Sequence, residues 1–276
     1  MPRQCKTIYY TDEQNDDFAG TKIVKCAIGE DYVFAPESRA WNICSKILYY
    51  GVAYPIVFAV SKLWLGLKIV GRDKLKPLKK TGFFLYGNHT QYLDAFTPGM
   101  LTAPHKAYII TDADAASITG LKNIVKMLGC LPIPTERRGY RGFLAAIERR
   151  IGENGVVTIF PEAHIWPYST TIRPFAATSF AYPVNLNAPV VAMCATYRKR
   201  TGLFAFCRRP GMTLYVSDPI YPHPELKGRD AREYLRDKVY EFMDETAKSE
   251  NSYEYIKYVK QEPQAAETDE QPSFSL

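Results

Sequence analysis

The sequence lacks the features that mark secreted, zinc-binding and multi-span membrane proteins. Its six cysteines are scattered, with no C-x-x-C pair and no histidine spacing suited to zinc. No apolar run follows a basic patch at the start, so we expect no secretory signal and both ends in the cytoplasm. A mean hydropathy of −0.23 argues against several membrane spans. The cysteines are therefore expected to be reduced residues of a cytosolic protein.

Other absences narrow the function. No G-x-S-x-G nucleophile elbow is present, which counts against a serine hydrolase. The chain also has no zinc-finger spacing, no RNP-type aromatic signature and no long Lys/Arg run, so nucleic acid is not an expected partner. No convincing set of carboxylate and imidazole ligands occurs, and neither a metal nor a cofactor is expected.

The surplus of positive charge favours a membrane surface or a phosphorylated substrate as the binding partner. The net charge is +6, although residues 261–276 contain four acidic residues and neither Lys nor Arg. The remainder of the chain is therefore more basic than the total. Such a surplus attracts anionic membranes and acidic substrates, although a plain solvated surface would look the same.

Composition divides the chain into four segments. Residues 1–35 mix charges with short β-like stretches at 21–27 and 32–34 and are interpreted as an arm laid on the body. Residues 36–70 form an apolar helical segment in which 47–60 carry no charge, a run too short to span a bilayer cleanly. Pro55 and flanking aromatic rings favour two short helices dipping into one leaflet, with a buried helix pair and a true membrane span as the alternatives. The domain proper occupies 71–260, and the tail 261–276 is expected to be disordered.

Residues 71–260 have the pattern of an α/β domain. Short apolar runs at 82–86, 107–110, 156–160, 190–195 and 213–216 are separated by segments long enough for helices. Helical spacing connects Phe143 with Ile147 and Ile151, and it recurs from Ala231 to Phe242. We expect one mixed sheet covered by helices.

The sharpest chemical signal is the run Gly87-Asn88-His89-Thr90-Gln91-Tyr92-Leu93-Asp94, which directly follows the apolar run 82–86. Ligands and catalytic groups gather at the carboxyl ends of strands in α/β sheets. On one straight helix His89 and Asp94 would point ~140° apart, so they can meet only across a strand-to-helix turn. If they meet, the aspartate orients the imidazole, which can take a proton from a hydroxyl. Taken alone, this spacing also fits an aspartate that caps a helix and a histidine that has only a structural role.

Three further blocks follow in order: Leu131-Pro132-Ile133-Pro134-Thr135-Glu136-Arg137-Arg138, Phe160-Pro161-Glu162-Ala163-His164, and Ala188-Pro189-Val190-Val191. With the first block, this order resembles the lysophospholipid acyltransferase family, typified by the 1-acylglycerol-3-phosphate acyltransferases. The resemblance implies a glycerolipid-acyltransferase-like fold, with His89 and Asp94 as the catalytic pair. It also implies direct attack of an acceptor hydroxyl on an acyl-CoA or acyl-carrier thioester.

The same resemblance implies that the arginine and glutamate blocks hold a phosphorylated acceptor. Substrate contacts are therefore expected at the following residues: Asn88, Arg137, Arg138, Glu162 and Arg173. An arginine fork suits phosphate, but Arg137 and Arg138 also fit a solvated helix start, and Glu162 could simply cap its loop. The chain departs from the family at Ala163, where a glycine is usual, which predicts an acceptor pocket of different shape.

The function predicted is transfer of an acyl chain to a lysophospholipid, most simply 1-acylglycerol-3-phosphate to give phosphatidic acid. The expected partners are a phospholipid membrane surface, the acyl-CoA or acyl-carrier donor and the lysophospholipid, at the cytoplasmic face of the membrane in a peripheral or monotopic position. Two alternatives remain: a thioesterase or lipid hydrolase that uses water as acceptor, and a non-catalytic lipid-binding protein of the same fold.

Overall fold

A seven-stranded sheet forms the centre of the computed structural model, which describes residues 5–18, 27–114, 117 and 120–261. The order across the sheet is β2-β8-β7-β3-β6-β4-β5. Neighbouring strands are parallel except β7 and β8, which are antiparallel. The strands are β2 (Lys68–Val70), β3 (Phe83–Gly87), β4 (Ala107–Thr111), β5 (Cys130–Pro132), β6 (Val156–Ile159), β7 (Val190–Arg198) and β8 (Gly211–Val216).

Both faces of the central strand β3 are buried, which explains its unbroken apolar sequence. Phe84 and Tyr86 pack into the larger cluster on one face. Phe83 and Leu85 point to the opposite face and join a smaller cluster. Successive side chains alternate in this way along any strand, so β3 holds both layers together. The predicted mixed sheet covered by helices is confirmed.

In the described part of the chain, five α-helices follow β2 and one long helix precedes it. They are α3 (Thr97–Thr102), α4 (Lys122–Met127), α5 (Tyr140–Gly152), α6 (Ala181–Leu186) and α7 (Gly228–Glu250), together with the N-terminal helix described next. The helical spacing seen in the sequence corresponds to buried faces. Phe143 and Ile147 of α5 and Leu235 and Val239 of α7 all lie in the larger cluster.

The apolar N-terminal segment forms one continuous helix instead of two short ones. Helix α1 (Arg39–Lys46) runs into a π-helical stretch, Ile47–Ala53, and then into α2 (Tyr54–Leu63). Pro55 lies in the first turn of α2, directly after the wider π turn, where its missing N–H interrupts least. By length and composition these 25 residues could cross a membrane, and only 6% of their most apolar window is buried.

The described part of the predicted arm is anchored on the C-terminal end of the domain. Strand β1 (Lys6–Tyr10) pairs in parallel with β9 (Ile256–Lys260) in a separate two-stranded sheet. Ile28 is fully buried in the larger cluster. The β-like stretch predicted at 21–27 lies outside the described residues except for its last member, as does the tail from 262 onward. The four-segment division stays a prediction.

Truncation of the central strand tests this account of the core. Phe84→Ala is expected to lower the free energy of unfolding by about 3–5 kcal/mol, because it removes a fully buried ring and leaves a cavity. Val70→Ala, at an exposed position of the edge strand β2, should cost less than about 1 kcal/mol. Urea denaturation monitored by circular dichroism measures both values. Equal losses of unfolding free energy in the two variants would contradict the buried position of β3.

Candidate active site

His89 and Asp94 meet in the turn that follows β3. Nδ1 of His89 lies 3.2 Å from Oδ2 of Asp94. The same oxygen accepts the backbone N–H of Thr90 at 2.6 Å and that of Gln91 at 2.8 Å. Asp94 begins a short 3-10 helix and is 2% exposed. The chain therefore folds back between the two residues, and the contact expected across a strand-to-helix turn is present.

The imidazole of His89 is held on both sides. Its ring stacks on Phe160 with centroids 4.5 Å apart and planes 17° from parallel. Because Nδ1 faces a carboxylate, it carries the proton, and Nε2 is left as the basic nitrogen. The His89 side chain is 16% exposed, so the ring can be reached from outside. Phe160 belongs to the third sequence block, but its support of the histidine was not predicted.

Asn88 ties the turn of residues 88–94, called the catalytic turn for its predicted role, to the neighbouring strand β7. Its Oδ1 accepts the N–H of Ala195 at 2.7 Å, and its Nδ2 donates to the carbonyl of Ala195 at 3.0 Å. The side chain is buried, and it continues the β3–β7 ladder beyond the end of β3. Contact of Asn88 with substrate stays a prediction, whereas its hydrogen bonds assign it a positioning task.

Glu162 and Arg173 form a buried ion pair behind the histidine. Nη2 of Arg173 lies 3.1 Å from Oε2 of Glu162, and both side chains are 1% exposed. Oε2 also accepts the N–H of His89 at 3.0 Å, while Oε1 accepts the N–H of Arg173 at 2.9 Å. Burial raises the pKa of Glu162, and Arg173 opposes that rise. The carboxylate therefore connects the catalytic turn to a second segment of chain, and binding of substrate by either residue stays a prediction.

The backbone at Ala163 keeps the conformation that a glycine would adopt easily. Its φ is 64°, and the N–H of His164 donates to the carbonyl of Glu162 at 2.8 Å, which closes a γ-turn. An alanine in this left-handed region costs of order 1 kcal/mol. The departure from the family pattern therefore leaves the positive φ in place.

The loop after Glu162 runs along the catalytic turn as an extra ladder. Trp166 donates its backbone N–H to the carbonyl of His89 at 3.1 Å, and Tyr168 donates to that of Thr90 at 2.9 Å. The indole of Trp166 lies under the guanidinium of Arg173, 4.8 Å from its Cζ. Neither aromatic residue was singled out from the sequence, because nothing local indicates that their backbone meets residues so distant in the chain.

The N-terminal arm reaches this loop as well. The carbonyl of Asp16 accepts the indole N–H of Trp166 at 2.9 Å. The Tyr92 hydroxyl donates to the carbonyl of Phe18 at 3.3 Å, and the Phe18 ring packs edge-on against Trp166. The arm therefore forms part of the wall around the catalytic turn.

Arg137 and Arg138 lie apart from this group. Both arginines are exposed and lie in the 3-10 turn Arg137–Gly139, which follows the edge strand β5. Three strand spacings separate β5 from β3, which amounts to roughly 14 Å across the sheet. The structure thus brings together Asn88, His89, Asp94, Glu162 and Arg173 but leaves the two arginines at the rim. Within the described ranges no group of three His, Cys, Asp or Glu side chains could hold a metal ion.

An apolar cavity of about 420 Å³ begins at the catalytic turn. Tyr92 and Ala95 line it at that end, and Ala107 lines it near the start of β4. The N-terminal helix closes one side. Its contribution comes from four residues on one face: Tyr49, Ala53, Tyr54 and Val57. A cavity of this composition accommodates a hydrocarbon chain.

A histidine–aspartate pair at the carboxyl edge of an α/β sheet, beside an apolar cavity, has the geometry that a transferase or a hydrolase needs for general-base catalysis. Residues 66–196 match the family model described as Acyltransferase. Comparison with curated proteins finds no match. Among solved structures, the crystal structure of the 1-acyl-sn-glycerophosphate (LPA) acyltransferase PlsC from Thermotoga maritima is similar, with a TM-score of 0.50 and 16% identity, and covers 78% of this chain and 99% of that chain. The predicted resemblance to the lysophospholipid acyltransferases is confirmed as a resemblance: residues 66–196 match the acyltransferase model, and the fold is shared with the solved structure.

The Glu162–Arg173 pair is testable by a double-mutant cycle. Glu162→Gln and Arg173→Met are each expected to cost about 3–5 kcal/mol of unfolding free energy, because each leaves an unpaired buried charge. The double variant should lose less than the sum of the two, by roughly 0.5–3 kcal/mol. Chemical denaturation gives all three values. Strict additivity would show that the two side chains do not depend on each other.

Proposed function

We propose that this protein transfers a fatty acyl chain from an acyl thioester, acyl-CoA or acyl-carrier protein, to the free hydroxyl of a lysophospholipid. The acceptor proposed is 1-acylglycerol-3-phosphate, which gives phosphatidic acid. The observation that carries the proposal is the His89–Asp94 contact at 3.2 Å beside an apolar cavity. The family match supports acyl transfer as the type of reaction.

The chemistry follows from the orientation of His89. Nε2 accepts the proton of the acceptor hydroxyl as its oxygen attacks the thioester carbonyl carbon. Asp94 stabilises the imidazolium that forms, through the bond to Nδ1. When the C–S bond breaks, the imidazolium returns its proton to the departing thiolate. The balance requires no acyl-enzyme intermediate, no metal and no cofactor.

Glu162 and Arg173 serve this reaction as positioning residues. Both side chains are 1% exposed, so they act through the backbone of His89 that Glu162 holds. Arg137 and Arg138 are exposed at the rim of the same sheet edge, where their guanidinium groups are free to meet an acceptor phosphate at the membrane surface. In 1-acylglycerol-3-phosphate the phosphate is on the carbon next to the one that carries the reacting hydroxyl, so this contact requires the two arginine side chains to extend from β5 toward the turn that holds His89.

We propose in addition that the N-terminal helix lies in one leaflet at the cytoplasmic face. One side of this helix contacts the domain along its length: the Ser45 hydroxyl donates to Met127, that of Tyr50 to Pro104, and Tyr54 packs against the third apolar cluster. The opposite side exposes large apolar residues, among them Ile47, Ile56 and Leu63. A helix held against a domain on one side favours a position parallel to the membrane, with its free side in lipid.

Replacement of the base tests the mechanism. His89→Ala is expected to lower the rate of labelled diacyl product formation from 1-acylglycerol-3-phosphate and labelled palmitoyl-CoA by roughly 10²–10⁴. Asp94→Asn should lower it as well, because a neutral amide stabilises the imidazolium less. The assay is run in detergent or vesicles, and carrier-protein donors are tried in parallel.

His223→Ala provides the matched control, since this histidine lies in the loop before α7 and contacts Tyr234. It should retain wild-type activity. Equal activity of His89→Ala and wild type would remove the proposed base. Thioester cleavage that proceeds without any acceptor would instead favour a hydrolase, and vesicle binding without turnover would favour a lipid-binding protein.

The length of the apolar cavity is expected to set the acyl-chain preference. Ala53→Leu enlarges a side chain that lines the cavity from the helix, so kcat/KM for palmitoyl donors should fall roughly tenfold relative to shorter chains. Ala59→Leu lies on the exposed side of the same helix and should leave this ratio unchanged. An identical chain-length profile for Ala53→Leu and wild type would place the acyl chain elsewhere.

A further inference from the structure

A second pocket opens at the opposite edge of the sheet from His89. It measures about 540 Å³ and is lined by residues that precede strands β4 and β6, among them Lys106 and Gly155. The segment before β3 contributes Lys79, and the N-terminal helix contributes Lys46. Because β3 spans five residues, this pocket is separated from the catalytic turn by roughly 17 Å of strand. The two sites are therefore distinct.

Positive charge predominates in this amino-edge pocket. Four cationic side chains line it, against one carboxylate, that of Glu153. The cations are Lys46, Lys79, Lys106 and Arg150. The carboxylate of Glu153 forms salt bridges with Arg149 at 2.9 Å and with Arg150 at 2.7 Å, so it does not neutralise the lysines. The three lysines form no salt bridge within the described parts of the chain.

Lys106 is held in place by neutral partners, whereas Arg150 pairs with Glu153. Lys106 donates to the hydroxyl of Ser45 and to the carbonyl of Met127, both at 2.6 Å. Arg150 is 7% exposed, and its Nε has no hydrogen-bond partner among the described residues. Burial, and then Arg150, lower the pKa of Lys106 to about 8. Lys106 is half-buried and has no counter-charge within salt-bridge distance among the described residues, which is unfavourable, and an anion in the pocket would supply one.

The surroundings of the pocket indicate where the anion comes from. Tyr50 lines it and belongs to the helix whose free side exposes Ile47 and Ile56. A neighbouring groove shares Lys79 and His105 with it and adds two cations, Arg72 and Lys76, against one carboxylate, that of Asp73. A helix in the plane of a leaflet would bring this surface to the level of the lipid phosphates.

We propose that the amino-edge pocket binds the phosphate of an anionic phospholipid head group, separately from the catalytic site. The lipid would be held as a ligand and not consumed, because no candidate base or nucleophile of the catalytic turn reaches this edge. Its binding would orient the domain on the membrane with the N-terminal helix beside it. The inference does not depend on the reaction catalysed.

The test measures binding of soluble dihexanoylphosphatidylglycerol by calorimetry to full-length protein. Lys46→Glu/Lys79→Glu is expected to weaken binding at least tenfold, since two pocket cations become anions. The matched control is Arg39→Glu/Lys80→Glu, which makes the same change of charge on the same helix and the same loop outside the pocket. It should weaken binding less than about threefold. Circular dichroism checks that both variants fold.

Three further arms identify the ligand. Flotation with phosphatidylcholine vesicles that contain phosphatidylglycerol should show the same difference between the variants, and pure phosphatidylcholine should show none. Inorganic phosphate should bind at least tenfold more weakly than the lipid, and equal affinity would overturn the lipid head group as the ligand. CoA affinity should be the same in both variants, whereas its loss in the pocket variant alone would assign the pocket to the acyl donor.

Equal weakening of lipid binding by the two double variants would reduce the effect to general surface charge and overturn the proposal.

Discussion

The carboxylate of Glu162 is the interaction on which the catalytic region depends. It is almost wholly buried, and it accepts hydrogen bonds from the backbone of His89, the backbone of Arg173 and the guanidinium of Arg173. Burial of a carboxylate without hydrogen-bond donors would be very unfavourable, so the chain segments around His89 and Arg173 must lie close enough to donate to it. Burial raises the pKa of this carboxyl, and Arg173 opposes the rise. The position of the histidine is thus set by a residue that lies behind it.

Asp94 performs a different task within the same turn. One of its oxygens receives the imidazole and two backbone N–H groups, and this arrangement fixes both the fold of the turn and the orientation of the ring. Glu162 places the backbone of His89, whereas Asp94 selects which ring nitrogen is basic. Phe160 stacks on the ring and limits its remaining freedom. The division between placement and orientation explains why two carboxylates accompany one histidine.

Five strands of the sheet, the α/β class and the meeting of His89 with Asp94 could be predicted from the sequence, because apolar runs and strand ends are local signals. Strands β2 and β5 have three residues each and gave no such signal. The tasks of Asn88 and Arg173 could not. Asn88 is satisfied by Ala195, which is 107 positions away, and Arg173 is buried only because Glu162 is placed to receive it. The rim position of Arg137 follows from β5 being the edge strand, a property of non-local pairing. Pro55 indicated a break, but the π turn before it preserved the helix.

The two edges of the sheet use charge in opposite ways. At the carboxyl edge Glu162 is paired with Arg173 and His89 with Asp94, so the charges there organise the chain around a reacting group. At the amino edge, lysines line a pocket without salt bridges to the described residues, and unpaired cations act on ions outside the protein. The N-terminal helix borders both the apolar cavity and the amino-edge pocket. Because it contacts both, the helix would couple the proposed lipid-binding pocket to the cavity proposed for the acyl chain.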